Sequence, residues 1–210
     1  MTDELHDLTQ AIVKGSRDDA RRLVNSAISG GVPPQRILES LVAGMDEIGR
    51  RFQCNQVFVP EMLIASRAMK ESLALLEPLL VRAGIKPKYT AVIGSVQGDL
   101  HDIGKNLVGI MWKGANFEVV DLGTNVAPEK FPAAAKERGA QVIGLSALLT
   151  TTMPAMKQTI GVIRAAGLDG VKVVVGGAPV TQQYADEIGA DGFAADAAGA
   201  VQLVRRLLGA

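Results

Sequence analysis

Beyond about residue 87 the chain alternates short apolar runs with helical patterns, and that alternation constrains its fold more than any other feature. Strands are predicted at Thr90–Ser95, Glu118–Asp121, Val142–Ser146, Val171–Val175 and Gly192–Ala194. Helical spacing runs over Ile103–Gly114, Pro128–Arg138, Met153–Ala166, Val180–Ile188 and Ala197–Leu208. Strands joined through helices run parallel, and a strand covered on both faces is apolar at successive positions. The pattern therefore predicts an α/β domain over residues 87–210, with a five-stranded parallel, doubly wound sheet. Such sheets bind ligands beyond the C-terminal ends of their strands.

Residues 1–86 follow different rules. Leu5, Leu8, Ile12 and Val13 recur at helical spacing, as do Ala20, Leu23, Val24, Ala27 and Ile28 after a candidate N-cap at Ser16. Pro33-Pro34 opens a third pattern through Phe52, and Pro60 opens a fourth that runs to about Arg82. Four amphipathic helices with short joints predict a four-helix bundle. Lys86-Pro87-Lys88 is the expected linker.

Composition narrows the functional classes. Lys plus Arg and Asp plus Glu both number 22, so the net charge is zero, which argues against a nucleic-acid binder. No apolar run is long enough for a membrane span, and the acidic N-terminus lacks a signal core, so a cytoplasmic protein is expected. The single cysteine, Cys54, excludes an internal disulfide and a cysteine-based metal cluster, and it is expected to be a buried, inert thiol.

The chemistry concentrates at Gly98-Asp99-Leu100-His101-Asp102-Ile103-Gly104-Lys105-Asn106, directly after the first strand. One of only two histidines stands there, with a carboxylate two residues before it. A histidine can ligate a metal through one ring nitrogen while a carboxylate holds the other. After Gly104, 41 residues intervene before Ser146-Ala147-Leu148, and 27 more separate Leu148 from Gly176-Gly177. No Gly-x-Gly-x-x-Gly follows the first strand, so this is not a dinucleotide fingerprint.

Asp-x-His-x-x-Gly, Ser-x-Leu and Gly-Gly, in this order and at these separations, resemble the corrinoid (vitamin B12) binding domain shared by methionine synthase and the methyltransferase corrinoid proteins. The resemblance implies a cobamide cofactor in a Rossmann- or flavodoxin-like domain. His101 would be the lower ligand of its cobalt, and Asp99 would accept a hydrogen bond from the other ring nitrogen. Thr152 would extend that relay, at a position where methionine synthase carries a serine; capping the helix from Met153 is a second role, compatible with the first. By the same resemblance Asp102, Ile103 and Gly104 would line the entry of the cofactor's nucleotide tail. Ser146 and Thr150 offer hydroxyls to the buried base, Leu148 packs on it, and Gly176 and Gly177 leave it room. Val57–Ala65 resembles the cap that covers the upper corrin face, with Phe58, Met62 and Ala65 over the cobalt methyl group.

By the same resemblance the protein carries a methyl group, as a component of a methyltransferase system rather than a stand-alone enzyme. Cobalt would cycle between Co(I) and methyl-Co(III). A substrate-specific methyltransferase would load it from a methylamine, methanol or a methoxylated aromatic. An acceptor methyltransferase would unload it to tetrahydrofolate or a thiol, and a reductive activator is a further expected partner. The competing readings are the corrinoid subunit of an adenosylcobalamin-dependent mutase, a B12-binding sensor, and a metal-free receiver-type domain.

Overall fold

A computed structural model describes the backbone of residues 2–209 and the side chains of 4–209. The chain divides into two compact units. One runs through Pro87 and includes Gly114–Asn116; the other comprises Lys88–Lys113 and Phe117 onward.

The first unit is helical: α1 (Thr2–Lys14), α2 (Arg17–Ser29), α3 (Pro34–Gln53) and α4 (Val59–Arg82). Apolar stripes of all four helices form its interior, with Leu8, Ile12, Val24, Ile37, Leu41, Met45, Ile48 and Leu76 fully buried. Helices α1 and α3 approach closely because Gly44 has no side chain; a Cβ there would lie 2.6 Å from Ile12. Two local expectations change. Ser16 occupies the N-cap of α2, but its hydroxyl donates to Asp19 at 2.7 Å instead of accepting from the helix backbone. Cys54 is exposed, because it follows the last turn of α3 where the chain reverses through a left-handed Asn55.

In the second unit β1 (Tyr89–Ser95), β2 (Phe117–Asp121), β3 (Val142–Ser146), β4 (Lys172–Gly176) and β5 (Gly192–Phe193) form one all-parallel sheet in the order β2-β1-β3-β4-β5. The crossovers are α5 (Ile103–Gly114), α6 (Lys130–Arg138), α7 (Met153–Ala165) and α8 (Gln182–Ile188), and α9 (Ala197–Leu208) closes the unit. Alternate strand residues serve opposite faces. Val92, Ile143, Leu145, Val173 and Val175 pack with Phe131, Met156 and Ile160 of α6 and α7. On the other face Trp112 of α5 lies against Gly144, where a Cβ would come within 2.7 Å of the indole. Helix α8 begins two residues later than the apolar pattern predicts, because Thr181 is its N-cap and accepts from the Tyr184 amide.

In this strand order the chain reverses direction between β1 and β3, the switch point at which an open sheet leaves a crevice. Ser95, Ser146 and Gly176 are register partners across β1, β3 and β4. The loops that follow these three residues therefore leave the sheet side by side. Among the described residues no helix is long and apolar enough to cross a membrane.

Candidate functional site: a histidine held by a buried aspartate

The loops after β1 and β3 are joined by one carboxylate. Asp99 is wholly buried. Its Oδ1 accepts from the His101 backbone N–H at 2.9 Å and faces His101 Nδ1 at the same distance. Its Oδ2 accepts from the Leu148 N–H at 2.7 Å and from Thr152 Oγ1 at 2.7 Å. Thr152 Oγ1 also lies 2.9 Å from the Leu149 carbonyl. A hydroxyl has one hydrogen, and the nearer, charged oxygen is the stronger acceptor. Thr152 thus begins α7 without a side-chain cap and spends its hydroxyl on Asp99.

Burial alone would push the Asp99 carboxyl upward. The bonds from Thr152, the His101 and Leu148 amides and the His101 ring outweigh it, and hold the carboxyl well below the usual carboxylate range. An ionised carboxylate can only accept, so the hydrogen between it and the imidazole sits on Nδ1. That leaves the lone pair on Nε2 for a ligand, on a side chain that is 48% exposed.

The surroundings of His101 suit a large, flat, mostly apolar partner. Leu100, Ile103, Leu148 and Leu149 are all exposed, on the loops after β1 and β3 and the first residue of α5. Gly104 opens onto free space, since a Cβ there would meet nothing within 4 Å. Gly177 is required twice over: its φ is +129°, and a Cβ would stand 1.9 Å from the Ala147 carbonyl oxygen. The ends of β3 and β4 therefore meet backbone to backbone. Among the described residues no three His, Cys, Asp or Glu side chains gather as a metal site. A lone imidazole suits a metal that arrives with its other positions already filled by a macrocycle, and the residues present fit a corrinoid.

The other predicted residues are distributed as follows. Ser146 is half-buried at the end of β3, Thr150 is exposed on the next loop, and Gly176 ends β4. Asp102 is exposed and accepts from Asn106 Nδ2 at 3.0 Å across the first turn of α5. Phe58, Met62 and Ala65 belong to the helical unit, where Phe58 is exposed just before α4 while Met62 and Ala65 are buried in it.

Several supports escaped the sequence reading. Ser95, wholly buried, donates its hydroxyl to the His101 carbonyl at 2.6 Å. Asn125, in a left-handed conformation, accepts from the Gly98 amide, and its own N–H donates to the Asp99 carbonyl, both at 2.8 Å. The Lys105 side chain is only 2% exposed and pairs with Asp121 Oδ1 at 2.6 Å and Asn106 Oδ1 at 2.7 Å. The loop after β2 thus braces the histidine loop from behind.

Known proteins resemble this chain over nearly its whole length. Residues 89–204 and residues 4–77 match two family models, each described as a B12 binding domain. A corrinoid protein of Desulfitobacterium hafniense is 42% identical over 98% of this chain and 97% of its own length. The dimethylamine corrinoid protein of Methanosarcina barkeri is 42% identical over 97% of each chain. In a solved structure, a chain of the methanol:cobalamin methyltransferase complex of M. barkeri superposes with a TM-score of 0.87 at 28% identity, over 99% of this chain and 81% of that one. With one B12-binding model spanning more than half of the sequence and such relatives spanning nearly all of it, the chain belongs to the corrinoid proteins built on the B12-binding domain.

Proposed function

We propose that this protein binds a cobamide through residues 87–210 and carries a methyl group on its cobalt for a methyltransferase acting on a small methylated substrate. The carrying observation is the tie between Asp99 and His101, set among exposed apolar side chains where the chain reverses direction across the sheet. The relatives' names support the system: a dimethylamine corrinoid protein, and a partner within a methanol:cobalamin methyltransferase complex. When bound, the cobamide supplies a cobalt that accepts a methyl group from one protein-bound donor and yields it to another acceptor.

The chain's own residues then have defined tasks. His101 would hold the cobalt through Nε2. Asp99 keeps the imidazole in the Nδ1–H tautomer and lends it electron density. Thr152 and the Leu148 amide hold the Asp99 carboxylate in place as the acceptor for the imidazole. Asp102, Ile103 and Gly104 would border the entry of the cofactor's tail, Ser146 and Thr150 would offer it hydroxyls, and Leu148, Gly176 and Gly177 would make room for it. By the same reading residues 1–86 supply the cap, with Phe58 as its exposed member, while Met62 and Ala65, wholly buried in the helical unit, pack its interior. An acceptor methyltransferase and a reductive activator complete the system.

The test is reconstitution. Apoprotein loaded with a cobamide, reduced, and mixed with a methylamine- or methanol-specific methyltransferase and its substrate should gain one methyl group per cobalt. A cobamide-loaded protein that accepts a methyl group from no such enzyme would argue for the sensor or mutase readings instead.

A further inference from the structure

We propose that Ser95 is a positioning residue for the cobalt ligand: it sets how firmly His101 binds by fixing the backbone that carries the imidazole. This rests on the reading of His101 as the lower ligand. A ligand's strength depends on how little its orientation must change on binding, and that orientation is set by backbone as well as ring.

His101 is held at three points. Asp99 takes its backbone N–H and its ring Nδ1, each at 2.9 Å. Ser95 takes hold of its carbonyl at 2.6 Å. The peptide groups on both sides of the His101 Cα are thereby pinned, and both anchors are wholly buried. Ser95 is itself immobile. Its N–H donates to the Gly123 carbonyl and its carbonyl accepts from the Val126 N–H, both at 3.0 Å, while it pairs in register with Ser146 of β3. A serine at a strand end commonly closes a local turn and nothing more. Here the carbonyl it closes upon belongs to the metal-binding residue, in an otherwise exposed loop where no other backbone bond to that carbonyl is found among the described residues.

Removing one such bond weakens the preorganised state by roughly three- to tenfold. Cobalt(II) takes an axial imidazole and cobalt(I) does not, so weaker ligation raises the Co(II)/Co(I) midpoint potential. A tenfold loss corresponds to about 59 mV for a one-electron couple. The experiment is spectroelectrochemical titration of cobamide-loaded wild type, Ser95→Ala and Ser95→Thr, with electron paramagnetic resonance of the Co(II) state in protein carrying ¹⁵N-histidine. The expected result is a histidine nitrogen on cobalt in wild type, a raised potential in Ser95→Ala, and return to the wild-type potential in Ser95→Thr. Should Ser95→Ala fail to fold, Ser95→Cys, close in size but a weak donor, is judged by the same criterion. An unchanged potential in the hydroxyl-less variant, with histidine on cobalt in wild type, overturns the inference. Absence of histidine nitrogen in wild type overturns the underlying reading instead.

Discussion

Asp99 Oδ2 stands 2.7 Å from Thr152 Oγ1 across 53 residues of sequence, while the other oxygen of the same carboxylate lies 2.9 Å from the ring of His101. One buried side chain therefore couples the orientation of the imidazole to the loop that begins α7. A substitution at any of the three should be felt at the other two.

Asp99→Asn keeps the shape and removes the charge. Its amide group must turn a donor toward partners that are themselves donors. We expect a loss of about 2–3 kcal/mol in the apoprotein, seen in a thermal melt as a fall of roughly 4–12 °C. The pH dependence has a definite sign. The native carboxyl lies below its ordinary value, so its stabilisation is present above about pH 3.9 and is lost as pH falls through the native value. The difference between wild type and variant should therefore be greatest near neutrality and shrink in strong acid. A gap that widens on acidification would contradict the assignment.

Thr152 separates hydroxyl from shape. Thr152→Val deletes the bond to Asp99 inside a buried network and should cost about 1–3 kcal/mol. Thr152→Ser keeps the hydroxyl and should cost less. A loss in Thr152→Ser with none in Thr152→Val, measured by denaturant unfolding, would mean that the methyl group and not the hydrogen bond matters there.

Two glycines of the site should behave oppositely. Gly177→Ala places a Cβ against the Ala147 carbonyl at a φ of +129° and should destabilise the apoprotein by more than 2 kcal/mol, on the order expected for forced strain. Gly104→Ala meets no atom within 4 Å and should leave the fold untouched. If the cofactor's tail passes beside it, cobamide affinity should nevertheless fall on the order of tenfold, about 1.4 kcal/mol. Unfolding of both apoproteins, followed by cobamide titration of the second, distinguishes a structural glycine from one that makes room for a ligand.

Much of this was legible because it repeats or is spaced. The change from helical stripes to apolar strands near residue 87 follows from burial periodicity, and β3, α5 and α9 have the predicted bounds. Asp99, His101, Gly104 and the Ser146 and Gly176 blocks could be found because each lies at a strand end at a recognisable separation. Ser95 and Asn125 were not legible, because their roles depend on loops that meet only after the sheet closes. Lys105 was harder still: a lysine reads as surface until Asp121, on another strand, is seen to neutralise it. Cys54 was misread because its residue type favours burial, whereas a reversal after α3 leaves it outside.

If His101, aimed by Asp99, binds the cobalt of a cobamide, titrating the purified apoprotein with a cobamide and following the visible spectrum of wild type and His101→Ala will show it. One cobamide per chain is expected in wild type, with the spectrum of a histidine in place of the cofactor's own base, and loss of that spectral signature in the variant. A wild type that binds no cobamide, or a variant whose spectrum matches wild type, would contradict it.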